Sequence, residues 1–131
     1  MTAELTVLAL AILLHGGLFV AFALIANREL GPRWTTSPRD EPPKRPLSVT
    51  GGRLQRTLDN SFESLILFAP AALMIPVSGQ STAVTAALAW AFLLARILYI
   101  PAYVLGWCPA RSAIWGVGFL ATVAMVVAAL I

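Results

Sequence analysis

Apolar and polar positions fall along this chain in long blocks, not in short alternating stripes. Leu5–Ala26 contains no charged residue. At ~1.5 Å per helical residue it is long enough to cross a hydrocarbon layer of roughly 30 Å. Asn27–Gly52 breaks the block with Gly31-Pro32, Pro38, Pro42-Pro43, Pro46 and Gly51-Gly52, which favour a structured or extended loop over helix. A second helix is expected from near Gly52 or Arg53 to about Val77, with Pro70 and Pro76 kinking or ending it. Ser78-Gly79-Gln80-Ser81 is a short uncharged turn. Thr82–Gly106 reads as a third span, interrupted by Arg96 and Pro101. Trp107-Cys108-Pro109-Ala110 turns the chain into a fourth, Arg111–Ile131. The expectation is one membrane domain over 1–131, an all-α four-helix bundle with spans at about 5–26, 53–77, 82–106 and 111–131.

Composition agrees with that pattern. Hydrophobic residues make up 59% and charged residues 11%, too few polar groups to cover a soluble domain of 131 residues. Met1–Glu4 has no basic residue and Leu5–Ala26 is longer than a signal peptide's apolar core, so this segment reads as a retained span. Of the 9 basic residues, Arg28, Arg33, Arg39, Lys44, Arg45, Arg53 and Arg56 fall between the first two apolar blocks. They are interrupted by Asp40, Glu41 and prolines, which argues against a nucleic-acid surface. The positive-inside bias explains them, with the first and third loops on the cytoplasmic side. The single cysteine, Cys108, excludes an internal disulfide and lacks partners at metal-ligand spacing, so no metal is expected.

Two polar stripes remain. Arg53, Arg56, Asn60 and Glu63 follow one another at intervals of three, four and three, which puts them on one face of the second helix. Arg96, Tyr99 and Tyr103 do the same on the third. A carboxylate or guanidinium at membrane depth costs a few kcal/mol unless paired or wetted, and such groups mark functional sites. For Arg53 the plainer reading is an interfacial anchor, since arginine commonly snorkels at helix ends. For Glu63 and Arg96 the plainer reading is an ion pair joining two helices. That pair leaves Arg56, Asn60, Tyr99 and Tyr103 unexplained. Guanidinium and amide donors, a carboxylate and two phenols together suit a small zwitterionic or anionic ligand. Arg111-Ser112 opens the fourth helix, where the helix dipole disfavours a cation and a paired anion is the more economical reading. His15 reads as a polar residue facing other helices, and the tryptophans as partly an interfacial belt.

The run Arg53-x-x-Arg56-x-x-x-Asn60-x-x-Glu63 resembles the signature of the MAPEG superfamily, the membrane-associated proteins in eicosanoid and glutathione metabolism. Ala95-Arg96-x-x-Tyr99-x-x-x-Tyr103 is similar to that family's third-helix motif. Length, four spans and a long basic first loop agree, so the resemblance covers nearly the whole chain and points to a bacterial-type member. It implies a homotrimer with glutathione as co-substrate, bound between neighbouring subunits near the cytoplasmic face and held by Arg56, Asn60, Glu63, Arg96, Tyr99 and Tyr103. It also implies that Arg111, with Ser112, stabilises the thiolate. The activity implied is a glutathione transferase or peroxidase acting on hydrophobic small molecules that arrive through membrane lipid, in the inner or plasma membrane of a bacterial cell.

The chemistry asks only for a cation beside a thiol. A thiol of pKa ~8.5 is a few per cent ionised at neutral pH. A guanidinium that brings it to about 6.5 favours the thiolate by about 2.7 kcal/mol. The superfamily also contains a non-catalytic lipid-binding member, so a membrane scaffold or lipid-binding protein of the same fold is the alternative. A small drug–proton antiporter would want a carboxylate buried in the first span, and Leu5–Ala26 has none.

Overall fold

The computed structural model describes residues 1–131 and is helical throughout its regular structure. The elements are α1 (Ala3–Leu30), the single turn α2 (Pro32–Thr35), α3 (Val49–Val77), α4 (Ala83–Val104) and α5 (Ala110–Leu130). Four of them, α1, α3, α4 and α5, have the length and hydropathy to cross a bilayer.

Helix α1 runs on past Ala26 to Leu30, into the expected loop, and two further departures from expectation each have a local reason. The first is α3, which begins at Val49 and absorbs Gly51-Gly52 into its first turn. Ser48 caps it, with its Oγ accepting from Gly51 N at 3.0 Å. The Glu29 carboxylate in turn accepts from Ser48 N at 2.9 Å and from Ser48 Oγ at 2.6 Å. Glycine at position 51 leaves room for this close approach: a Cβ there would lie 2.7 Å from Glu29 Oε2 and push the carboxylate away from Ser48. What looked like a helix breaker is the space for a cap. The second is α2, a helical turn inside the proline-rich loop. Pro32 starts it at the position where its missing N–H costs nothing.

Helices α3 and α4 both close with a glycine in left-handed conformation. At Gly106 (φ 75°) the bonds Trp107 N to Ala102 O, 2.8 Å, and Gly106 N to Tyr103 O, 3.1 Å, complete a Schellman cap. Gly79 (φ 73°) does the same for α3 through Gln80 N to Ile75 O and Gly79 N to Pro76 O. The caps satisfy carbonyls that would otherwise be orphaned at the membrane boundary.

Packing divides the bundle along its length. The helix ends nearest the Ser78–Ser81 turn hold the larger core, in which Val7, Phe68, Ala71, Ala72, Ile75, Ala89 and Met125 have no exposed surface. Phe68 of α3 and Phe92 of α4 stack with ring centroids 3.8 Å apart. Small residues here let the helices approach closely. The half nearest the long loop has a thinner apolar core of Leu18, Leu54 and Leu58, between α1 and α3. Large apolar side chains such as Leu13, Phe19, Leu24, Ile66 and Leu120 cover the outside, as a lipid-facing surface requires.

Candidate functional site

Both polar stripes meet within one chain, on the seam between α3, α4 and α5. Because α3 and α4 run antiparallel, the N-terminal turns of α3 lie beside the C-terminal turns of α4. Arg96 Nη1 donates to Asn60 Oδ1 at 3.0 Å. Nearer the loop, Arg56 Nε donates to the Tyr103 hydroxyl at 3.1 Å. The Arg111 guanidinium arrives from α5 and sits 4.5 Å from the Tyr103 ring centroid, a cation–π distance. Arg96 makes the same kind of contact with Tyr99, at 4.4 Å. The two tyrosine rings are 5.7 Å apart and tilted. Three guanidinium groups are thereby arranged along two adjacent phenols.

The seam opens into three hollows that follow one another inward. The outermost, about 250 Å³, is lined by Arg53, Arg56, Tyr103, Cys108 and Arg111. The next, about 180 Å³, is lined by Asn60, Tyr99, Arg111, Ser112 and Trp115. The innermost, about 100 Å³, has Glu63, Leu67, Phe92, Arg96, Trp115 and Phe119 in its wall. Arg111 is common to the first two and Trp115 to the last two. The lining changes from cationic at the loop end to aromatic and aliphatic deeper in the bundle.

All eight residues singled out from sequence line these hollows: Arg56, Asn60, Tyr99, Tyr103, Arg111 and Ser112 the outer two, and Arg96 and Glu63 the inner one. Glu63 joins Arg96 in the inner wall, but the ion pair weighed for these two is not made. Arg96 turns its Nη1 to Asn60, while its Nε and Nη2 are buried without any hydrogen-bond partner. Glu63 lies one turn further along α3 and stays exposed.

Arg53 has a more definite role than an interfacial anchor. Its Nη1 donates to Val104 O at 3.1 Å and so closes the last turn of α4 from outside. A side chain at Gly106 would meet that guanidinium at 3.0 Å. His15 does face another helix: its Nδ1 lies 3.3 Å from Ser61 Oγ on α3. Trp115 and Cys108 were not singled out by sequence reasoning as site residues. The available signal for Trp115 was its spacing of four from Arg111, which puts both on one face of α5.

Glu4 was also passed over, as a residue outside the first span. It is fully enclosed at the opposite end of the bundle. Its Oε1 accepts from Thr85 Oγ1 at 2.5 Å and its Oε2 from Ser81 Oγ at 3.3 Å. Thr85 also forms a reciprocal capping box with Thr82, so Glu4 fastens α1 to the N-terminus of α4. A carboxylate at a helix N-terminus is favoured by the dipole.

Four membrane-crossing helices with a cleft between them, polar at the loop end and apolar within, define a polytopic membrane protein. The family is settled by comparison: the MAPEG family model matches residues 6–131, essentially the whole chain, and the protein belongs to that family. No curated protein and no solved structure matches it.

Proposed function

We propose that the protein binds glutathione in the two outer hollows and uses its thiolate against hydrophobic electrophiles. The observation that carries this reading is the convergence of Arg56 and Arg111 on Tyr103. Arg56 lies 3.1 Å from the hydroxyl and Arg111 lies 4.5 Å from the ring, with Asn60 held by Arg96 beside them. Glutathione carries two carboxylates, an ammonium and two amides. Guanidinium groups suit its carboxylates, Asn60 and the phenols suit its amides, and Glu63 suits its ammonium.

Arg111, with Ser112 beside it, is the group we assign to the sulfur. It sits at the start of α5, between the outer hollows, where a thiolate offsets the unfavourable placement of a cation at a helix N-terminus. In transfer, the thiolate sulfur forms a bond to the electrophilic carbon and the leaving group departs with the electron pair. In peroxidase chemistry, two glutathione thiols reduce a hydroperoxide to an alcohol and water and leave as the disulfide. The electrophile enters from lipid through the apolar side of the seam. The loop end faces the cytoplasm in this reading, supported by the basic residues of the first loop, and three chains assemble as in the family's glutathione-using members.

Calorimetry on detergent-purified protein should show glutathione binding at millimolar concentration or below, and the protein should conjugate an activated aryl chloride. Absence of binding at that concentration sinks the reading. The non-catalytic alternative, a scaffold or lipid-binding protein, is separated by the same preparation: it would leave the aryl chloride unreacted.

A further inference from the structure

The proline-rich loop between α1 and α3 encloses a cavity of about 960 Å³, larger than the three seam hollows together. Its lining starts at Leu30 and Gly31, where α1 ends. Four cations line it, Arg33, Arg39, Lys44 and Arg45, against two carboxylates, Asp40 and Glu41. None of these residues lines a hollow of the seam, so the glutathione reading makes no use of them.

The bonds that shape the loop leave its positive charge unspent. Arg39 donates through Nε and Nη2 to Thr35 O, at 3.3 and 2.9 Å, and Arg45 through Nε to Glu29 O at 2.9 Å. Both acceptors are backbone carbonyls, not the carboxylates. The walls are held in place. Trp34 Nε1 donates to Glu41 O at 2.9 Å and ties the two sides of the loop together, and the Arg39 guanidinium lies 5.3 Å from the Trp34 ring centroid. Arg39 has φ 62°, a left-handed backbone that a residue with a side chain seldom adopts. Its N–H donates to Ser37 Oγ at 3.2 Å, and with the Thr35 bonds this fixes the strained turn. Cations are thereby gathered around a preformed cavity and not spread along an extended tail.

We propose that this cavity receives the phosphate of an anionic phospholipid headgroup, taken up sideways from the leaflet beside the loop. Phosphate is the chemistry the lining fits: guanidinium and ammonium groups from several points of the loop surround its oxygens, and the surplus of cations neutralises it. Position argues for lipid as the source. Leu24 lies seven residues before Gly31 and Val20 four before that, so both fall on the stripe of α1 beneath the cavity. They are 66% and 56% exposed, and acyl chains can lie along them. Trp34 is the kind of side chain that settles at the headgroup layer. A free phosphate ester would satisfy the same cations without using the apolar stripe. A zwitterionic headgroup brings its own cation and gains less.

The test uses the full chain, delipidated in non-ionic detergent, titrated with phosphatidylglycerol and with phosphatidylcholine of identical acyl chains. Native mass spectrometry reads the bound lipid. Phosphatidylglycerol should bind at about tenfold lower concentration than phosphatidylcholine. Arg33→Gln and Lys44→Gln remove charge and leave the bonds that shape the loop intact. Each should weaken phosphatidylglycerol about fivefold, the worth of one cation at an anionic lipid surface, and leave phosphatidylcholine unchanged. Arg28→Gln removes an exposed cation just outside the cavity and should change neither lipid. Equal binding of the two lipids overturns the proposal. So does a loss in Arg28→Gln as large as in the other two variants, since diffuse attraction would then explain the preference. Inorganic phosphate, matched in ionic strength by chloride, separates the sources. Bound phosphatidylglycerol that withstands millimolar phosphate supports the headgroup, and its displacement there overturns the lipid source and gives the cavity to a soluble phosphate. Calorimetry with glutathione on the same sample reads the other site separately: lipid binding without glutathione binding removes the glutathione reading and leaves this one.

Discussion

Two buried charges sit at opposite ends of this bundle and are treated in opposite ways. Glu4 is enclosed with both carboxylate oxygens bonded to hydroxyls, at the turn end where the core is densest. Arg96 is nearly as enclosed, and only one of its three nitrogens is bonded. A satisfied buried charge rigidifies its surroundings, whereas an unsatisfied one costs stability unless something else supplies the missing partner. The turn end has its buried charge satisfied, and the loop-side half keeps donors that a ligand of the proposed kind would fill.

Ways to break this contrast run from large effects to small. Arg111→Ala should lower turnover of an aryl chloride by about 10²–10³, the scale of a lost charge-stabilising group, with helicity and thermal midpoint kept. A variant that retains full activity would place the sulfur elsewhere. Glu4→Ala should cost about 1–3 kcal/mol in thermal or denaturant unfolding while glutathione affinity stays put. If unfolding is unaffected, the turn end is held by packing alone. Gly106→Ala should cost about 1–2 kcal/mol, from a left-handed backbone and from crowding Arg53 off the Val104 carbonyl. Its unfolding should be compared with Gly16→Ala, where nothing lies within 4 Å of the added carbon. The smallest expected change is the most diagnostic. Arg96→Met in unliganded protein should shift stability by less than about 1 kcal/mol in either direction, because losing the Asn60 bond is offset by removing two orphan donors. A loss as large as that of Glu4→Ala would mean that both charges serve structure.

The four spans and both polar stripes were legible because they depend on spacing within one helix. Three, four and three residues fix a common face wherever the helix lies. Partners across helices were not legible, because they depend on axial offset and rotation that no local spacing encodes. Asn60 and not Glu63 faces Arg96, and Arg53 reaches a backbone carbonyl that has no sequence mark. Gly51-Gly52 misled for a related reason. Glycine signals a break when it frees the backbone, and here it serves a close approach by Glu29, 22 residues earlier in the chain. Membership of the MAPEG family was legible from the two motifs taken together.

That Glu29 contact has a consequence for the helix it touches. A residue of α3 advances about 100° around its axis, so a slip of one position would carry Arg56 and Asn60 away from α4 altogether. The Phe68–Phe92 stack fixes the phase of α3 near its far end, and the Glu29–Ser48 bonds fix it at the near end. Between these two points the polar stripe cannot rotate freely. Glu29 belongs to α1, which contributes no residue to the three hollows, yet it is the helix that keeps the stripe in register.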